Sequence, residues 1–123
     1  MAFLKERGRS FRYAFTGIAH AFRTQPNLWI HSVAIVITIA AGFLLRINSV
    51  EWIFIIAAIG VVITTEIINT AIEELVDLVS PERHEKAGIV KDLAAGAVLI
   101  AAIMALIIGC IIFIPKILLI FVT

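Results

Sequence analysis

The sequence predicts an all-α membrane protein, with an amphipathic surface helix followed by three transmembrane helices in each protomer. Hydrophobic residues make up 62% of its 123 residues, a share well above that of soluble domains. Uncharged stretches recur along the chain, and the charged residues cluster between them. Because about 20 apolar residues cross the hydrocarbon of a bilayer, these observations indicate three crossings within a single domain covering residues 1–123.

The first and third crossings are simple, since residues 24–45 and 93–115 carry no Asp, Glu, Lys or Arg. The basic segment that precedes the first crossing has apolar residues at helical spacing, which is typical of a helix lying in the membrane interface. The predicted boundaries are about 5–25 for the surface helix and about 27–47, 51–79 and 92–115 for the three spans.

The second crossing is unusual because it must include acidic residues. The uncharged run between Glu51 and Glu66 is too short to span alone. Counting from Trp52 at about 1.5 Å per residue, Glu66 lies roughly 21 Å along the helix, inside a hydrocarbon layer of about 30 Å. Carboxylates inside a membrane are costly and are functional candidates by default. Glu66 is therefore the first candidate site residue.

The distribution of basic residues predicts the orientation of the chain. Lys and Arg are concentrated before the first span and in the loop 80–91, whereas the opposite side has only Arg46 and Lys116. Because cytoplasmic segments carry the excess of Lys and Arg, we expect the N-terminus and the loop 80–91 to be cytoplasmic and the C-terminus to lie on the other side.

A stripe of acidic side chains follows one face of the second span. At about 100° per residue, Glu66, Glu73 and Asp77 fall within roughly 20° of one line. Such carboxylates repel unless they are protonated, paired with cations or bridged by a divalent metal ion. Lys91 and Asp92, at the entry to the third span, lie near the same cytoplasmic level. These residues predict one polar site.

Structural interpretations compete with the functional ones. Glu66 could be a protonated acid satisfied by a neighbouring helix, although its depth favours function. Glu74 is expected to be a solvated charge, and Cys110 a small core residue. We interpret the three histidines as interfacial polar anchors rather than ligands; they are His20, His31 and His84.

Three sequence motifs resemble the prokaryotic integral-membrane diacylglycerol kinase family. They are EIINTAIEELVD at 66–77, SPERH at 80–84 and KDLAAGAV at 91–98. The start of the chain, SFRYAFTG at 10–17, also looks like the surface helix of the family. The second and third motifs are more similar to its undecaprenol kinase branch. The resemblance implies a homotrimeric, ATP-dependent lipid kinase of the bacterial cytoplasmic membrane, with undecaprenol favoured as substrate and diacylglycerol next.

The resemblance also implies roles for individual residues. Glu66 matches the general base that acts on the lipid hydroxyl, and Glu73 a ligand of Mg²⁺. Gln25 stands where the family usually has a second metal-binding glutamate, so the metal site is expected to be weaker. The implied partners are ATP, a membrane lipid alcohol and the bilayer, without nucleic acid. The residues that match nucleotide-site positions are Tyr13, Asn69, Glu73, Asp77, Glu82, His84, Lys91 and Asp92.

An alternative from another functional class uses the same acidic stripe. A non-enzymatic proton or ion pathway would account equally well for Glu66. It would not account for the basic loop beside Lys91 and Asp92, and channels usually carry polar residues on more than one span. Because the third span is almost wholly apolar, the sequence favours the kinase. Consumption of ATP in the presence of a lipid alcohol distinguishes the two.

Overall fold

The structure, a computed structural model, describes residues 1–122 and is helical throughout apart from short connections. Three of its helices are long and apolar enough to cross a membrane, which confirms the three predicted spans. The helices are α1 Ala2–Thr24, α2 Pro26–Leu44, α3 Ser49–Val79 and α4 Glu85–Val122. The N-terminal helix forms where the sequence predicts one.

The junction between α1 and α2 is a single extended residue, Gln25. Pro26 then opens α2, at a position where its missing N–H costs no hydrogen bond. Across the junction, the Trp29 indole N–H donates to the carbonyl of Phe22 at 3.0 Å, and the two rings meet edge to face. The neighbouring Leu28 is fully buried. These contacts fix the direction in which α1 leaves α2.

A tight turn reverses the chain between α2 and α3. Asn48 caps α3 by accepting from the Glu51 N–H at 3.0 Å, and the Glu51 carboxylate accepts from the Asn48 N–H at 2.8 Å. This capping box satisfies two N–H groups at the start of the helix. Gly42 allows the close approach, because a Cβ there would lie 2.7 Å from the Trp52 ring.

The main packing interface lies between α3 and α4. Its buried side chains are small or branched, which lets the two helices come close together. At the end remote from the loop 80–84, Lys116 binds Glu51 at 3.1 Å. The buried apolar residues of the two helices are Ile55, Ala58, Val62, Ala94, Ala101 and Ile112. Large apolar side chains cover the outer surfaces, as expected where lipid is the solvent.

Two features differ from the sequence expectations. Helix α4 extends beyond the predicted span at both ends, because a helix satisfies its own backbone in water as well as in lipid. It continues through Pro115, which removes only one backbone donor. Cys110, expected to be a small core residue, is exposed. It lies on the rim of a groove described below.

Candidate active site

The acidic stripe of α3 runs from the interior of the helix bundle to its surface: Glu66 is buried, Glu73 half-buried and Asp77 exposed. The inward face begins with apolar residues such as Ile55 and Val62, and it continues with the buried residues Glu66, Asn69 and Thr70. The opposite face is apolar and exposed, as at Ile68 and Leu75. This is the reverse of a soluble amphipathic helix. It follows because hydrocarbon cannot solvate polar side chains, which therefore turn toward protein or a wet cavity.

Glu66 is the most deeply placed of these acids. It is 1% exposed, and its Oε1 lies 2.9 Å from Nε2 of His31 on α2. Within residues 1–122 its side chain forms no other hydrogen bond. His31 is therefore a satisfied polar residue, as expected, but the sequence analysis did not predict its partner Glu66. A signal for this pairing was available, because ionisable residues within spans usually pair, and His31 is the ionisable residue of α2.

Glu73 forms the second level of the site, one to two turns toward the loop 80–84. The Gln25 amide donates to its Oε2 at 3.0 Å, and the Asn69 amide donates to its Oε1 at 2.9 Å. The structure thus brings together these three residues from the α1–α2 junction and α3. The carboxylate is held between two amides and is half-buried.

One atom at this level lacks a partner. Asn69 Oδ1 is buried and accepts no hydrogen bond, and such orphaned acceptors are rare in native proteins. Across residues 1–122 no cluster of three or more His, Cys, Asp or Glu side chains could hold a metal ion alone. The donor set is therefore one carboxylate with two amide oxygens. It fits a hard cation such as Mg²⁺, which keeps several waters and shares its ligands with phosphates.

A pocket of about 330 Å³ forms the third level, where the loop 80–84 folds back between α3 and α4. Lys91 forms an ion pair with Asp77 across this pocket. The lining includes four of the predicted nucleotide-site residues, Asp77, Glu82, His84 and Lys91, together with Arg83. The sequence analysis did not single out Arg83. Two cations and several hydrogen-bonding groups therefore face one cavity.

Tyr13 and Asp92 lie outside this pocket. Both are exposed, and the Tyr13 residue is 68% exposed on α1. Helix α1 approaches the stripe only near its end, where His20 lies 3.1 Å from Glu74. Both side chains of this contact are exposed to solvent, in agreement with the interpretation of Glu74 as a surface charge.

The three levels follow one another along α3. At 1.5 Å per residue, Glu73 lies about 10 Å and Asp77 about 16 Å beyond Glu66. A phosphate chain held at the Asp77 end could therefore reach toward Glu66 past Glu73. From the loop 80–84 toward Glu66, the three levels of the site are a cationic pocket, an oxygen-rich position and a buried carboxylate.

An apolar groove of about 420 Å³ runs between α2, α3 and α4. Its lining includes His31, Ile35, Ile55, Val62, Ala105 and Phe113. His31 is therefore shared by the groove and by the hydrogen bond to Glu66. A hydrocarbon chain in the groove would bring its polar end to this pair.

The three long apolar helices define an integral membrane protein, and comparison with known proteins shows that it is of the lipid kinase class. Residues 12–113 match the prokaryotic diacylglycerol kinase family. The chain belongs to that family, whose members are ATP-dependent lipid kinases, and it is an integral membrane protein. Kinases of this kind work with a divalent metal ion.

Individual relatives carry two names. The chain is 41% identical over 108 residues to the undecaprenol kinase of Bacillus subtilis, covering 88% of each chain. It is 44% identical over 110 residues to a diacylglycerol kinase of Synechocystis, covering 89% of this chain and 63% of the relative. It is 32% identical over 99 residues to the diacylglycerol kinase of Escherichia coli K12, covering 80% and 81%. The predicted family resemblance is thereby confirmed.

Proposed function

We propose that this protein transfers the γ-phosphoryl group of Mg-ATP to the hydroxyl of a membrane lipid alcohol. Undecaprenol is the favoured substrate and diacylglycerol the next. The observation that carries the proposal is the buried Glu66 carboxylate, which is bonded to His31 where that residue lines the apolar groove. An alcohol with a hydrocarbon tail matches such a site, because its tail can lie in the groove while its hydroxyl meets the carboxylate.

Glu66 acts as the general base in this proposal. Its Oε2 has no hydrogen bond within residues 1–122, so it can accept the proton of the lipid hydroxyl. The lipid oxygen then attacks the γ-phosphorus and ADP leaves. Phosphoryl transfer depends mainly on positioning and charge neutralisation. One base, one bound metal ion and cationic side chains can therefore suffice.

Glu73 holds Mg²⁺ in the proposal, with Gln25 and Asn69 as neutral neighbours. The bound ion supplies charge neutralisation on the phosphates. The partnerless Oδ1 of Asn69 supports this assignment. Because amide oxygen and nitrogen can exchange places by rotation, Gln25 can also turn its oxygen toward a cation beside Glu73.

The pocket at the third level takes the nucleotide. Lys91 and Arg83 supply positive charge for phosphate oxygens, while Asp77 holds Lys91 in place. Glu82 and His84 line the same pocket. Tyr13 and Asp92 remain proposed nucleotide contacts on the family resemblance. Both are exposed and free to meet a ligand or a neighbouring protomer.

Assembly and orientation complete the proposal. We place the N-terminus and the loop 80–91 in the cytoplasm, where ATP is present, and α1 on the membrane surface. A homotrimer is favoured because one protomer leaves its polar stripe only partly covered, as at Glu73, and lipid cannot solvate such groups. The ion-pathway alternative is disfavoured by membership of a kinase family.

A side-by-side assay tests the proposed activity and substrate. The purified protein in detergent micelles receives labelled ATP, Mg²⁺ and either a C55 polyprenol or diacylglycerol, and phosphorylated lipid is measured. We expect both alcohols to be phosphorylated, with the higher kcat/KM for the polyprenol. A higher value for diacylglycerol would reverse the order of substrates. Absence of lipid phosphate with either alcohol would contradict this choice of substrates.

Gln25→Glu is expected to lower the Mg²⁺ concentration needed for half-maximal rate. The new carboxylate would face Glu73 at the present amide distance of 3.0 Å. Two carboxylates that close repel, and a bound cation relieves the repulsion. The measurement is initial rate against free Mg²⁺ at saturating ATP.

The matched control is Gln25→Met, which keeps the length of the side chain but has neither charge nor amide. It should not lower the Mg²⁺ requirement. If Gln25→Glu gives the same Mg²⁺ titration as the unmodified protein, Gln25 does not belong to the metal site.

A further inference from the structure

His31 has no role in the mechanism described so far, although it makes the closest contact to the proposed base. Its Nε2 lies 2.9 Å from Glu66 Oε1, and its side chain is 24% exposed against 2% for that of Glu66. Within residues 1–122 no other side chain donates to Glu66. The hydrogen bonding and orientation of the Glu66 carboxylate therefore depend on this one imidazole.

A buried carboxylate is stabilised by a hydrogen-bond donor. Burial disfavours the charged form, whereas a hydrogen bond donated to the carboxylate favours it. A neutral imidazole protonated on Nε2 supplies such a bond to Oε1. Loss of this donor would leave the Glu66 carboxylate without the hydrogen bond that holds its Oε1.

The same contact determines which oxygen is free. With Oε1 engaged by His31, Oε2 is the acceptor that remains. His31 also lines the apolar groove, so the hydroxyl of an alcohol in that groove arrives beside the pair. Orientation of a reacting group contributes to the rate as directly as its protonation state does.

We propose that His31 is a positioning residue, which holds the Glu66 carboxylate through its Oε1 and directs its Oε2 toward the lipid hydroxyl. The proposal rests on the function of Glu66 as general base given above. In the reaction the O–H bond of the alcohol breaks and its proton moves to Oε2. The new O–P bond forms as the bond from the γ-phosphorus to ADP breaks.

Three substitutions test the donor role of Nε2. His31→Gln keeps an N–H donor at about the reach of Nε2, whereas the amide of His31→Asn reaches only about as far as Nδ1. His31→Leu removes the donor altogether. Ser32→Ala is the matched control on α2, since the Ser32 hydroxyl bonds only the carbonyl of Leu28 in its own helix.

We expect kcat to fall about 10- to 100-fold in His31→Leu and His31→Asn, a part of the about 100- to 10,000-fold that general base catalysis supplies. His31→Gln should recover most of this loss. The KM values for ATP and for the lipid should change by less than about twofold in all three, because the loss lies in the transition state. Ser32→Ala should resemble the unmodified protein.

The possible results distinguish the positioning role of His31 from the general-base role of Glu66. Equal rates for His31→Gln and His31→Asn would overturn the donor role, even if His31→Leu failed to fold. A loss expressed in KM rather than kcat would also overturn it. Full activity of all His31 variants beside an inactive Glu66→Gln would refute the role of His31 alone. Full activity of Glu66→Gln would instead refute the general base.

Discussion

Glu66→Gln should lower kcat by about 100- to 10,000-fold, the range that a positioned general base contributes, with a nearly normal KM for ATP. Glutamine keeps the shape of the side chain, and its oxygen can still accept a hydrogen bond from His31. It cannot take a proton from the lipid hydroxyl. The proposed nucleotide pocket begins at Val76, about 15 Å along α3 from residue 66. The rate of phosphoryl transfer should therefore fall while the affinity for ATP is retained.

Single-turnover rates and ATP affinity, measured on the same preparation, separate these two effects. Glu74→Gln is the matched control, because it makes the same substitution on α3 at an exposed ion pair with His20. It should stay within about twofold of the unmodified protein. Equal losses of nucleotide affinity and of rate in Glu66→Gln would contradict the assignment of the base.

The second large effect is a recovery of activity, expected when two inactive variants are mixed in the proposed trimer. Tyr13 is 68% exposed and lies about 10 Å along α1 from His20, where that helix contacts Glu74 of α3. In a trimer, α1 of one protomer could cover the stripe of the next, which would make each site shared. We therefore expect inactive Tyr13→Ala and inactive Glu73→Ala chains to regain activity when they are co-refolded.

The expected recovery is about one quarter of the unmodified rate for random mixing at equal amounts. In a closed ring, each interface pairs one chain's surface helix with the neighbouring chain's stripe, and about a quarter of the interfaces then have both parts intact. Each variant refolded alone is the control. Complete inactivity of trimers shown to be mixed would mean that each site is built within one chain.

Much of the fold was predictable because hydrophobic length depends only on the order of residues along the chain. The three spans follow from uncharged stretches, and the depth of Glu66 follows from counting along one helix. The ends of α4 were less predictable. A count of apolar residues finds the hydrocarbon layer, whereas the helix continues into the charged segment on one side and through Pro115 on the other.

The site was predictable where its residues share a helix or an adjacent loop. Helical periodicity places Glu66, Glu73 and Asp77 on one face, and α3 buries the first of them. Periodicity gives no information about the partner of each acid. The pairing of His31 with Glu66 was not predicted for this reason, and Arg83 was overlooked because its pocket appears only when the loop 80–84 folds between α3 and α4.

The sequence by itself determined the class of the protein: a membrane-embedded lipid kinase with three spans and an intramembrane acid on the second. The tertiary structure alone decided that His31 holds Glu66, that Gln25 and Asn69 hold Glu73, and that Lys91 pairs with Asp77. The physical reason is that length, hydrophobicity and helical period belong to a single segment. Contacts between segments depend instead on the rotation and relative height of packed helices, which local sequence does not encode.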